Sequence, residues 1–195
     1  MAILKIAHMG HPILRKKSVP IENPCAPEIG YLVKDMMETL DDAGGVGLAA
    51  PQVYNSLRLI IFKVPDARSA PERYKSAGLV EESDEVPLTV LINPEIVVIG
   101  SKTNPAFEGC LSIPDMMGEV NRHSHIFYRG VGLEGQLIER EAKGFHARVV
   151  QHECDHLNGI LYPQRISDLA TFGYNKELTQ SIGSDDAYEN VGDQL

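Results

Sequence analysis

The segment His152-Glu153-Cys154-Asp155-His156 constrains this chain more than any other. Two histidines four residues apart share a face when the segment is an α-helix, because four helical steps leave side chains about 40° apart around the axis. The flanking pattern agrees. Phe145, Val149, His152 and His156 fall at i, i+4, i+7 and i+11, so the imidazoles continue an apolar stripe. Val150, Cys154 and Leu157 form a second stripe. A helix apolar on two sides is largely buried, and buried imidazoles need partners. The pattern predicts a helix over 145–157, with Gly159 as its stop.

A second helical pattern runs from Pro27 to Ala43 and ends at Gly44-Gly45. Ile29, Leu32, Val33, Met36, Met37 and Leu40 lie on its buried face. Residues 1–24 read as loop, punctuated by prolines. Strands are expected at 57–64, 88–93, 95–99, 106–112, 124–133 and 136–141. Residues 65–87, polar and acidic, read as a surface excursion. One helix early, strands between and one helix late predict an α+β fold. In it, antiparallel or mixed β-sheets pack around the helix that carries H-E-x-x-H. One domain is expected over 1–179, with a polar, acidic tail over 180–195.

Charge narrows the partners. Eighteen Lys and Arg stand against 27 Asp and Glu, a net charge of −9. No basic stripe for nucleic acid stands out, and an anionic membrane surface is disfavoured. No apolar run approaches the roughly 18 residues of a membrane-spanning helix. Residues 1–8 lack the apolar core of a signal peptide, so the cytoplasm is expected. Three cysteines, Cys25, Cys110 and Cys154, do not make a disulfide framework and are expected to be reduced.

On a helix, His152 and His156 supply two metal ligands, and Glu153 stands beside them as a base. That pattern suits metal-assisted hydrolysis. The third ligand decides the enzyme class. Tyr162 stands where one long form of the motif carries a third histidine, which excludes that form. Glu177 is the candidate for a class that takes a downstream glutamate, and Cys110 offers a thiolate suited to zinc or iron(II). Both remain open on spacing. Cys154 sits roughly 160° around the helix from His156 and belongs to the core.

Three segments together resemble peptide deformylase: Gly45-Val46-Gly47-Leu48-Ala49-Ala50-Pro51-Gln52, Glu108-Gly109-Cys110-Leu111-Ser112 and Gln151-His152-Glu153-Cys154-Asp155-His156. Lesser similarity at 91–94, 144–148 and 158–162 extends the resemblance over most of residues 3–170. It implies that Cys110, His152 and His156 bind one divalent metal with water as fourth ligand. Iron(II) is the metal implied, with zinc, nickel or cobalt as alternatives after purification. It implies removal of the formyl group from the N-terminal formyl-methionine of nascent peptides. In that reaction metal-bound hydroxide attacks the formyl carbon, and Glu153 takes and returns the proton.

Roles for other residues follow from what that reaction needs. The Gln52 amide and the Leu111 backbone N–H are donors for the oxyanion. Val46, Phe145 and Val149 are candidates for the methionine slot. Gly45 and Gly47 are expected to admit the substrate backbone closely and to allow positive φ. Glu108 and Arg122 are expected to orient ligands or to pair with Asp155. The partner expected is the nascent formyl-methionyl peptide, with a transient ribosome contact left open. Two other readings compete: a zinc peptidase using Glu177, and a non-catalytic metal-binding or ribosome-docking protein.

Overall fold

The computed structural model describes residues 2–81, 83 and 85–180; apart from Gln180, the expected tail at 180–195 lies outside the described residues. The elements in chain order begin with α1 (Pro27–Asp42), β1 (Gly47–Ala49), β2 (Leu59–Val64) and α2 (Glu72–Ser76). There follow β3 (Val86–Val98), β4 (Thr103–Cys110), β5 (Ile113–His123) and β6 (His125–Val131). The last three are β7 (Leu137–Lys143), α3 (Gly144–Leu157) and β8 (Gly173–Tyr174).

α1 starts at a proline, whose fixed φ suits a first turn. It buries Ile29, Val33, Met36 and Leu40, the apolar face of the pattern. Gly44, at φ +62°, takes the left-handed turn that ends it. β2 is the centre of the architecture. Its odd residues Leu59 and Ile61 pack with Val33, Met36 and Leu40 of α1. Its even residues Ile60, Phe62 and Val64 pack with Phe145, Val149 and Val150 of α3. The two-residue alternation of a strand thus places one helix on each face of the sheet.

That sheet has the order β1-β2-β3-β6-β7, and β4-β5-β8 form a second one. Every strand pair in both is antiparallel. α3 lies between the sheets, against β1 and β2 on one side and β5 on the other. The α+β fold with antiparallel sheets around the motif helix is the fold observed.

Several element expectations need correction. The strands expected at 88–93 and 95–99 are one strand, β3, with a register shift between Ile92 and Glu95. Asn93 sits there at φ +50°, a conformation asparagine tolerates. Its side chain pairs with both backbone groups of Ile21, at 2.9 and 2.8 Å. β5 went unforeseen because Pro114, Gly118 and a mixed polar sequence hide its alternation. The excursion at 65–87 is more than surface. It contains α2 and sends Ala67 and Leu79 into the core beside α3. Within the N-terminal loop, Ala7 and Leu14 are buried, and Ala7 N–H donates to Gln52 O at 2.7 Å.

Candidate active site

α3 and the end of β4 bring the predicted ligands together. Cys110 is the last residue of β4, and its Sγ lies 3.3 Å from His156 Nε2. One ligand atom from each of Cys110, His152 and His156 lies within 4.8 Å of the others. Glu177 is exposed and does not join this group. A thiolate and two imidazoles at this spacing fit a tetrahedral zinc or iron(II) ion.

Glu153 stands beside the cluster, buried, and its Oε2 has no hydrogen-bond partner among the described residues. Burial pushes its pKa up to about 7, against a smaller opposite pull from His152. A carboxyl poised near neutrality can both take and give a proton at physiological pH. Gly47 makes room for it: a Cβ there would come 2.2 Å from Glu153 Oε1. The glycines therefore have a packing reason that the sequence did not show, and the expected positive φ is corrected. The side-chain space at 47 is filled by Glu153, and that at 45 by Leu40 and Leu111. Neither glycine has a left-handed φ.

Behind the ligands lies a buried ionic cluster. Glu108 Oε1 accepts from Arg122 Nε (2.9 Å) and Arg148 Nη1 (2.8 Å), and Oε2 accepts from Arg122 Nη2 (2.9 Å). His152 Nδ1 is 2.8 Å from Glu108 Oε2. A carboxylate can only accept, so His152 Nδ1 carries a proton, and Nε2 is left as the atom that a metal would take, displacing any proton held there. Although burial opposes ionisation of Glu108, these partners hold its pKa well below the usual carboxylate range. Burial also opposes protonation of both imidazoles. In His152, contacts with Cys110 and Glu108 overcome it and raise the pKa. In His156, burial reinforced by His152 lowers it. Arg122 also pairs with Asp155, which Arg165 holds at 2.7 Å.

Gln52 is buried and fixed. Its Oε1 accepts from Ala49 N–H at 2.8 Å, while Nε2 donates to Ser112 Oγ at 3.1 Å and faces Cys110 Sγ at 3.5 Å. The amide donor therefore points to the cluster. Leu111 directly follows Cys110, in the turn between β4 and β5. Val46, Phe145 and Val149 share one apolar cluster, which Tyr74 of α2 joins. Tyr74 meets Phe145 edge-on at 5.9 Å, and its hydroxyl donates to Gly44 O at 2.8 Å.

Sequence reasoning missed four residues. Ser112 lies within a quoted motif, yet its bond to Gln52 spans 60 positions. Arg148 stands four residues before His152, a spacing that places it on the ligand face. Tyr162, weighed only as a possible ligand position, stacks near His152 at 6.2 Å. Arg165 had no local signal.

The profile of the polypeptide deformylase family matches residues 3–172. Peptide deformylase 1 of Bordetella pertussis is 49% identical over 177 residues, 91% of this chain and 93% of that protein. Peptide deformylase 1 of Nitrosomonas europaea is 43% identical over 185 residues, 94% of this chain and 99% of its own length. A Met-Ala-Ser-bound class I type b peptide deformylase from Acinetobacter baumannii superposes with a TM-score of 0.74 at 37% identity. It covers 84% of this chain and 98% of that one.

Proposed function

This chain belongs to the polypeptide deformylase family, metal-dependent hydrolases that remove the N-formyl group from nascent polypeptides, and from that premise we propose how its own residues perform the reaction. Cys110, His152 and His156 would hold the metal, which when bound supplies Lewis acidity and a water of lowered pKa. Iron(II) is the ion proposed. The mixed thiolate and imidazole set also suits zinc, nickel or cobalt.

Glu153 takes the proton of the attacking water. The new carbon–oxygen bond forms at the formyl carbon, and the carbon–nitrogen bond breaks. Glu153 then returns the proton to the leaving amine, giving formate and a free N-terminus. Gln52 Nε2 and the Leu111 N–H donate to the oxygen as it gains charge. Glu108, itself held by arginines, keeps His152 in the tautomer a ligand needs. Asp155 takes part by anchoring Arg122. Val46, Phe145 and Val149 line the slot for the methionine side chain, and Gly47 leaves the base its place. β1 is an edge of its sheet, so the Val46–Gly47 backbone is where an extended peptide would add. Met-Ala-Ser in the Acinetobacter baumannii protein supports a peptide beginning with methionine as ligand.

The observation that carries this reading is the convergence of Cys110, His152 and His156 with an unpartnered, buried Glu153. Exposure of Glu177 disfavours the peptidase alternative. We place the reaction in the cytoplasm, where nascent chains emerge, in one catalytic domain over 1–179 that meets the ribosome transiently. No helix of the described residues is long and apolar enough to cross a membrane.

The test is formate release from an N-formyl-methionyl peptide by anaerobically purified protein, with metal assayed on the same sample. Turnover with about one metal per chain supports the reading. Metal without formate release would overturn it.

A further inference from the structure

Glu108 receives more than the orientation of His152 requires. Arg122 alone gives it a two-pronged partner, and His152 takes the remaining position on Oε2. Arg148 adds a second guanidinium, from the same helix as His152 and one turn earlier. Its side chain is only 5% exposed. Its Nη1 lies 2.8 Å from Glu108 Oε1, 2.8 Å from Val120 O and 3.4 Å from Ala106 O. Its Nη2 donates to Asn104 O. One planar fork thus joins α3 to β4 and β5 at four acceptors.

The ligands come from two of those elements. Cys110 ends β4, while His152 and His156 ride on α3. Their separation is therefore the separation of a strand and a helix, and Arg148 spans that junction with directional bonds. Apolar packing also presses the two together, but it is tolerant of small sliding, whereas a fork with several fixed acceptors is not.

We propose that Arg148 is a positioning residue of the metal centre: by tying α3 to Glu108, Asn104 and Val120 it sets the distance of Cys110 from His152 and His156, and through it the affinity and geometry of the site. This rests on the reading that those three residues hold the metal. It differs from a purely stabilising role, which would lower the melting temperature and leave the assembled site as it was.

Cobalt(II) is the probe, since its absorption bands report ligand geometry and its affinity is measured by chelator competition without any assay of turnover. Arg148→Met is expected to weaken cobalt binding by roughly 10–100-fold and to shift the visible and thiolate bands. Arg148→Lys is expected to weaken it less, because an ammonium can reach one acceptor group and not the whole set. Val33→Ala, in α1 on the face of the sheet opposite α3, serves as the destabilised control. It should lower the melting temperature with cobalt affinity and spectrum unchanged. Arg148→Met with the affinity and spectrum of the unaltered protein would overturn the proposal. Should that variant fail to fold, Arg148→Lys decides, and its equality with the unaltered protein overturns it as well. Failure of the unaltered protein to bind cobalt would sink the metal reading and this proposal together, a result distinct from a failure confined to the variants.

Discussion

A missing side chain at residue 47 makes room for the buried carboxylate of Glu153. A methyl group there would lie 2.2 Å from Glu153 Oε1, so Gly47→Ala must displace the base or part β1 from α3. Turnover should fall while one metal per chain is retained, read by kcat beside metal content. Glu153→Gln keeps the shape and removes the base. It should lower kcat by roughly 10²–10⁴ with metal unchanged. Loss of metal in that variant would show that Glu153 is a ligand instead. Gln52→Ala removes one oxyanion donor and should cost about 10²–10³ in kcat. The place of Gln52 beside Cys110 was legible from its motif. The reason for Gly47 was not, because it depends on a side chain 106 positions away in sequence.

Among the elements, the junction of α3 with the β4–β5 hairpin is the one most dependent on charge. Glu108 is buried and held by two arginines and a histidine; burial would raise its pKa, but His152 and Arg122 depress it. A depressed carboxylate contributes stability above its unfolded value and loses it as pH falls toward the folded one. The stability that Glu108 supplies, read as the melting-temperature gap to Glu108→Gln, should therefore be constant near neutrality and shrink below about pH 4.3, as the unfolded carboxyl takes up a proton that the folded one refuses. Glu108→Gln should be less stable at pH 7, by about 3–5 kcal/mol, because it leaves buried arginines without their counter-charge. Its own melting curve should vary less with pH between about 4.3 and the lower limit. An unaltered pH dependence in Glu108→Gln would assign the acid loss to other groups. The segment before β3 gives a parallel case in apolar packing. Leu79 is 1% exposed, and Leu79→Ala should cost about 2–5 kcal/mol by thermal unfolding. A residue of a mere surface excursion would cost far less.

Across the whole molecule, a metal held by Cys110, His152 and His156 would add a link between β4 and α3 to the packing and the ionic cluster that already join them. Chelation should lower the melting temperature, since a ligand at 1,000 times its Kd contributes about 4.1 kcal/mol. At roughly 2–4 °C per kcal/mol, the shift should exceed several degrees by calorimetry, and Cys110→Ala should abolish it while Glu177→Ala leaves it intact. Both principal helices were readable from the sequence, because an apolar stripe of period 3.6 is a local property and ends at local signals such as Gly44 and Gly159. The pairing of His152 with His156 was readable for the same reason. The resemblance carried by three short motifs supplied Cys110 and Gln52. Tertiary structure alone decided that β5 exists as an eleven-residue strand, that Leu79 is core, and that Arg148 and Arg165 belong to the ionic cluster. Each of those depends on a partner far away along the chain: β5 on β4, Leu79 on the core beside α3, and the arginines on carboxylates whose burial only the assembled fold creates. Local sequence carries the periodicity of an element, and the electrostatic cost of leaving a buried charge unpaired is set only once distant elements close around it.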